Sequence, residues 1–218
     1  MTKTIAILGG TGNQGPGLAL RWARSDDYQV IIGSRQAEKG ERVADELNGK
    51  LGQDLVRGAT NEAAAQAADL CVLTVPYSAH EATLSGLRDL LQGKIVIDVT
   101  VPLKRPKVSH VNVPPGGSAC QEAQAILGEG VRVVAAFQNI SAVHLAEDDS
   151  HVDCDVLVCG DDKEAKLEAI ALAEAAGLRG IDAGPLKNAV VVEGLTSVLI
   201  GINLRHKILS SGIKITGI

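Results

Sequence analysis

The chain has 218 residues, room for one large domain or for one domain and a small appendage. Hydrophobic residues make up 45% of it and aromatics only 2%, so its core must be built from Val, Ile, Leu and Ala, as in parallel strands covered by Ala-rich helices. The net charge of −5 argues against a general affinity for nucleic acid, and the lack of an uninterrupted apolar run of about 18 residues argues against a membrane span.

The chain enters its first strand at once, without the pattern of a signal peptide. The apolar run Ile5-Ala6-Ile7-Leu8 leads into Gly9-Gly10-Thr11-Gly12-Asn13-Gln14-Gly15, and then into a helical pattern with Leu18, Leu20 and Trp22. Strand, Gly10-x-Gly12-x-x-Gly15 and helix form the order of a dinucleotide-binding fingerprint. Gly10 permits the tight turn out of the strand. Gly12 lets a pyrophosphate approach the backbone, and Gly15 lets the helix lie close to the strand. The phosphates then meet free N–H groups at the positive end of the helix dipole.

A second strand, Gln29 to Ile32, ends in Gly33-Ser34-Arg35. An acidic residue here would hold the ribose hydroxyl of NAD, whereas arginine accommodates the 2′-phosphate of NADP. Ser34 can donate a hydrogen bond to that phosphate, Arg35 a charged fork, and Lys39 a second charge one turn into the next helix. That helix spans about Ala37 to Leu47. A third strand, Leu55 to Ala59, precedes a short helix capped by Asn61 and reaching about Ala67.

Leu70 to Val75 reads as a buried strand stopped by Pro76. The Pro76-Tyr77-Ser78 turn falls at its carboxyl end, where open α/β sheets bind ligands. Tyr77 either flanks the cofactor there or caps the core. His80, on the following helix, is expected to face solvent. A fifth strand, Lys94 to Val99, ends in the proline turn Val101-Pro102. The breaker-rich stretch from Lys104 to Gly117 reads as a functional loop. Ser118 can cap a helix to about Leu127, and Val131 to Phe137 is a sixth strand.

Composition shifts near Asn139. The acidic run Glu147-Asp148-Asp149 precedes a strand, Asp155 to Cys159, and Gly160-Asp161-Asp162 opens a helix to about Ala176. The two aspartates suit a helix start, where their charge favours the dipole. A strand end and turn follow over Gly180 to Pro185. Asn188 to Leu209 reads as one long apolar helix covered on several sides, in part by a second subunit. The tail from Gly212 to Ile218 alternates like a short strand. The division expected is residues 1–139 for the nucleotide and 140–218 for a smaller C-terminal unit. Cys71, Cys120, Cys154 and Cys159 form no CxxC pair, so reduced, buried thiols in the cytoplasm are expected, with no metal site.

No G-x-S-x-G elbow, P-loop or zinc-ligand cluster occurs, and Glu81 stands where a Tyr-x-x-x-Lys pair would need lysine. A nucleotide site without an evident proton donor suits hydride exchange with a flavin-like ring, because such a cofactor carries the difficult chemistry itself. Two rivals share the same first half: an NADP-dependent reductase of a small imine or carbonyl, and a non-enzymatic NADP-binding redox sensor.

The chain resembles the NADPH-dependent reductases of the deazaflavin coenzyme F420 over almost its whole length. The likeness rests on the glycine turn, Gly33-Ser34-Arg35, Leu73-Thr74-Val75-Pro76-Tyr77, Val158-Cys159-Gly160-Asp161-Asp162, Asp182-Ala183-Gly184-Pro185-Leu186 and Glu193-Gly194-Leu195-Thr196. The resemblance implies a Rossmann-type, mainly parallel α/β sheet with a smaller C-terminal α/β part, assembled as a homodimer. It also implies direct hydride transfer between NADP and F420. It puts NADP on Thr11, Gly12, Asn13, Gln14, Ser34, Arg35 and Lys39, and the nicotinamide beside Val75, Val101 and Ala142. The deazaflavin falls near Ser211 and Gly212. Gln138 and Asn139 stand where one branch of the family has His-Thr, and are expected to steady the reacting rings by hydrogen bonds without donating protons. Val190 replaces an arginine of that branch and Gly194 a serine, while Thr196 is kept.

Overall fold

A computed structural model describes residues 2–146 and 152–218, so the run Glu147-Asp148-Asp149 lies outside the described residues. In chain order the elements are β1 (Lys3–Leu8), α1 (Gly15–Trp22), β2 (Tyr28–Ser34), α2 (Ala37–Leu51), β3 (Val56–Thr60), α3 (Asn61–Ala67), β4 (Leu70–Leu73) and α4 (Tyr77–Leu87). There follow β5 (Ile95–Asp98), α5 (Ala119–Leu127), β6 (Arg132–Ala135), α6 (Ala142–Ala146), β7 (Asp155–Gly160), α7 (Lys163–Ala175), β8 (Arg179–Asp182), a single 3-10 turn (Leu186–Asn188) and α8 (Ala189–His206).

The strands form one eight-stranded sheet in the order β3-β2-β1-β4-β5-β6-β7-β8. Strands β1 to β6 are parallel, and their order reverses between β1 and β4, where such sheets open a crevice at their carboxyl ends. The alternation of side chains along each strand separates two apolar layers. Ile5 and Ile7 face α1, α2 and α7, with Leu18, Trp22, Leu47 and Leu172. Ala6 and Leu8 face the other way, toward α3, α4, α5 and α8, with Ala64, Leu84, Ala123 and Val192. Trp22 and Phe137, among the few aromatics, meet edge to face at 5.8 Å in the first layer.

The sheet continues past residue 139, so the smaller C-terminal part shares it. Strand β7 is antiparallel to β6, with Ala135 opposite Cys159, and β8 is parallel to β7. The first residues of β7 and β8 therefore lie at the edge where β1 to β6 end. Phe137, just past β6, holds a left-handed φ of 70° where the chain turns.

Two expectations are corrected. Thr60, and not Asn61, caps α3, its Oγ1 accepting the Ala63 N–H at 3.2 Å. The tail after α8 is not a strand; it forms no ladder and is held by side chains and by one backbone bond, from the Asp155 N–H to the Ile213 carbonyl. The long apolar helix expected to be covered on several sides is α8, part of a segment, Leu186–His206, long and apolar enough to cross a membrane; only 39% of its most apolar stretch is buried within this chain, and it carries the buried Glu193 onto α5. The cap expected at Ser118 is present, accepting the Gln121 N–H, and Asp162, expected only as a favourable charge at the helix start, caps α7 by accepting the Ala165 N–H. Asp161 instead accepts the Leu186 N–H at 2.9 Å.

Candidate active site at the carboxyl edge of the sheet

The glycine turn joins β1 to α1 at the reversal of strand order. A Cβ on Gly15 would stand 2.2 Å from the Gly10 carbonyl oxygen, so backbone lies directly on backbone there. A Cβ on Gly12 would meet nothing nearer than the Gly9 and Thr74 carbonyls, at 3.7 and 3.8 Å. The fold thus requires glycine at position 15 but not at 12, where open space lies before the turn. No side chain caps α1, and its first turn holds no acidic residue. Its leading N–H groups, flanked by the exposed Thr11 and Asn13, remain available to an anion. Gln14 is committed elsewhere: its Nε2 donates to the Ile140 carbonyl at 2.8 Å.

Arg35, just past β2, and Lys39, in the first turn of α2, are exposed, and neither side chain makes a hydrogen bond or ion pair among the described residues. Ser34 is buried beside them, and its Oγ accepts the Gln36 N–H at 3.4 Å, leaving its own proton to donate. Sequence reasoning missed Asn61, whose Oδ1 accepts the Gly9 N–H at 3.0 Å and braces the turn from α3. The signal was an asparagine beside a threonine that already serves as the cap.

Val75, Val101 and Ala142 are half-buried at the same edge, following β4, β5 and β6. Thr100 Oγ1 donates to the Val75 carbonyl at 3.4 Å, linking the first two loops. Tyr77 begins α4 and donates its hydroxyl to Glu122 of α5 at 2.7 Å, across a cavity of about 480 Å³. Burial and the Glu122 carboxylate push that hydroxyl up to about 12.

His80 does not face solvent. It is 1% exposed, and its Nε2 lies 2.7 Å from Asp98 Oδ2. It shares a helix face with Leu84 and Leu87 at spacings that turn all three inward. Burial resists its protonation, but the hydrogen bond and charge of Asp98, with Glu122 and Glu193, raise it overall. Asp98 Oδ1 accepts the Thr100 N–H.

Gln138 and Asn139 are buried just past Phe137. Gln138 Nε2 donates to the Asp98 carbonyl at 2.7 Å, and Asn139 Nδ2 to the Asp155 carbonyl at 2.7 Å. The Gln138 carbonyl accepts from Thr196 Oγ1 of α8 at 2.8 Å. Three residues earlier on α8, the Glu193 carboxylate accepts the N–H groups of Ala119 and Cys120, at 2.8 and 3.0 Å, and so caps α5 from outside. Burial raises Glu193 to about 7, against the pull of those two N–H groups. The four thiols are free and buried; burial pushes Cys71 up to about 12 and Cys159 up to about 11, which leaves them unreactive.

Ser211 and Gly212 lie on the tail against the start of β7, where a Cβ on Gly212 would stand 2.8 Å from Cys154 Sγ. Asn139 Nδ2 reaches the same sulfur at 3.6 Å. Loops from both halves of the chain thus meet at one edge. Gln14 Oε1, Gln138 Oε1, Asn139 Oδ1 and Ser211 Oγ are buried there without hydrogen-bond partners among the described residues. Orphaned polar atoms, an uncapped helix start and free cations are the inventory that a polar ring and a phosphorylated dinucleotide would satisfy.

Residues 4–102 match the family model described as NADP oxidoreductase, coenzyme F420-dependent. The chain is 43% identical to an F420-dependent NADP reductase of Methanothermobacter thermautotrophicus, over 100% of its own length and 97% of that protein. It is 42% identical to the protein of the same description from Methanocaldococcus jannaschii, over 98% of each. Among solved structures, a candidate F420-dependent NADP-reductase from Arthrobacter sp. FB24 superposes with a TM-score of 0.80 at 26% identity, covering 98% of this chain and 99% of that one.

Proposed function

Because the chain belongs to the F420-dependent NADP reductase family, we propose that the crevice at the carboxyl edge of its sheet holds NADP against the deazaflavin coenzyme F420. The protein is an oxidoreductase that passes hydride between these two coenzymes. The bound rings supply the hydride donor and acceptor; the polypeptide orients them and excludes water. The observation that carries this reading is the meeting, at one edge, of an uncapped α1 start, the free Ser34-Arg35-Lys39 corner and a small apolar lining.

In this reading the N–H groups of Thr11, Asn13 and Gln14 receive the pyrophosphate, which lies over Gly12, while the Gly10 N–H bonds the Ile7 and Gly33 carbonyls and the Gly12 N–H bonds that of Gly9. Ser34, Arg35 and Lys39 receive the 2′-phosphate. Val75, Val101 and Ala142 line the nicotinamide end, with Tyr77 at its border. Ser211 and Gly212 face the deazaflavin. Gln138 and Asn139 spend their amide donors on the backbone of β5 and β7, and so offer buried acceptors, not protons, to the rings. Residues 1–139 serve NADP, and 140–218 serve F420 and subunit contacts.

The second copy is proposed for the outer face of α8, where Val191, Val198 and Leu204 are exposed, with Val111 and Val113 of the long loop also bare. Light scattering should give a dimer at micromolar concentration, and a stable monomer would remove this part of the proposal. The free thiols suit the cytoplasm. The reaction is tested by mixing the protein with NADPH and oxidised F420 and following loss of deazaflavin absorbance, with imines, ketones and flavins as controls. Deuterium from labelled NADPH should reach the deazaflavin without exchange. Label lost to water, or reduction of an imine and not of F420, would replace the reading.

A further inference from the structure

We infer that the Arg179–Asp155 pair is a positioning clasp, which fixes the C-terminal tail so that Ser211 and Gly212 are held at the edge of the sheet. Its bearing on the coenzyme rests on the placement of the deazaflavin beside those two residues. The reversal of β7 makes the clasp possible. Asp155 and Arg179 open β7 and β8 and stand opposite one another in the register. Antiparallel pairing with β6 brings both to the edge where the parallel strands end.

Arg179 donates Nε to Asp155 Oδ1 at 2.8 Å and Nη2 to Oδ2 at 2.6 Å. The same guanidinium reaches the tail carbonyls of Ile215, at 2.6 Å, and Ile218, at 3.4 Å. Asp155 grips the tail as well: Oδ2 accepts the Ile215 N–H at 2.6 Å, and its own N–H donates to the Ile213 carbonyl at 2.7 Å. The side chains of the pair therefore bind two tail residues through their backbone, Ile215 and Ile218, and the Asp155 backbone holds a third, Ile213. Beyond it, the tail is attached by the Ile213 N–H to Cys154 Sγ and by the exposed Lys214–Asp153 pair.

The chemistry suits arginine alone. A planar fork can serve a carboxylate and two carbonyls together, whereas an ammonium brings charge without that geometry. The Asp155 side chain is 3% exposed, and the Arg179 hydrogen bond holds it below the usual carboxylate range against the cost of burial, helped by the Ile215 N–H. Asn139, bonded to the Asp155 carbonyl, ties the clasp to the end of β6.

Arg179→Ala should speed amide hydrogen exchange at Ile213 and Ile215. It should raise the KM for F420 on the order of 10-fold and leave NADPH affinity unchanged, since a loosened positioning segment penalises only the ligand it positions. Arg179→Lys should restore part of the loss. Unchanged exchange would show that the pair does not hold the tail. Faster exchange with an unchanged KM for F420 would show that the tail does not position the coenzyme. Equal loss of NADPH and F420 binding would reduce the pair to a general structural role. Ser211→Trp tests the placement separately, by equilibrium binding of F420. Unchanged binding in that variant, while Arg179→Ala still raises the KM, would overturn the ring placement and not the clasp.

Discussion

The two parts of the sheet reach one edge by opposite routes. Strands β1 to β6 arrive by their carboxyl ends, and β7 and β8 by their amino ends. In the proposed site the first part meets NADP mostly with backbone: an uncapped helix, a glycine turn, and few side chains beyond Ser34 and Arg35. The second holds itself together with side chains that reach far along the chain, such as Arg179 to Ile215, Asn139 to Asp155 and Glu193 to Ala119. Backbone sites are specified locally by small residues. Side-chain clamps need partners remote in sequence, and buried charge must be matched in each.

The largest effect that would sharpen this contrast comes from paired changes in the glycine turn. Gly15→Ala forces a Cβ onto the Gly10 carbonyl and should lower stability by about 3 kcal/mol, read by denaturant unfolding. Gly12→Val should leave the unfolding midpoint nearly unchanged while abolishing NADP binding, because only the ligand needs that space. If both variants unfold alike, the turn is structural throughout and the contrast fails.

Arg35→Ala should weaken NADP binding by roughly 1.5–3 kcal/mol through loss of a charge-assisted contact, and leave NAD binding unchanged, as measured by calorimetry. Equal wild-type affinity for the two nucleotides would break the assignment of the β2 corner.

The smallest effect lies in pH. Glu193 has a folded value of about 7 against an unfolded value of 4.5, so the folded chain holds the extra proton between them. Its contribution to stability is present below the unfolded value and lost as pH rises through about 7. His80, also raised, acts in the same direction. Asp155 acts in the opposite sense: its share is present above the unfolded value of 3.8 and is lost only as pH falls through its lower folded value. Between about pH 8 and pH 6 the Glu193 share should add about 1 kcal/mol, and Glu193→Gln should flatten that slope. A slope unchanged in Glu193→Gln would remove this carboxylate from the account.

The same contrast decides what could be read from the sequence. The strand, glycine turn and helix of residues 5–22, the end of β2 at Ser34, the helix start at Asp162 and the cap at Ser118 are contiguous patterns, and each was legible. His80 was misread because its burial depends on Asp98, a residue on another element with no periodic relation to it. Asn61 looked like a cap because its acceptor role toward Gly9 spans the sheet. Alternation in the tail suggested a strand, but its hydrogen bonds go to Arg179 and Asp155, which no local pattern reveals. The direction of β7 was equally invisible, since an apolar run of Val and Leu reads the same whichever way it lies.

The reversal at Phe137 has an evolutionary consequence. The two halves of the edge share one sheet and one apolar layer, and Gln138 and Asn139 bond them across the turn, so a change in one is felt by the other. The departures from one branch of the family that the resemblance implies, at 138, 139, 190 and 194, lie at or beyond that turn. A lineage with this plan can rewrite the late part of its gene only with substitutions that keep β7 on β6 and the shared layer around Trp22 and Leu172 filled.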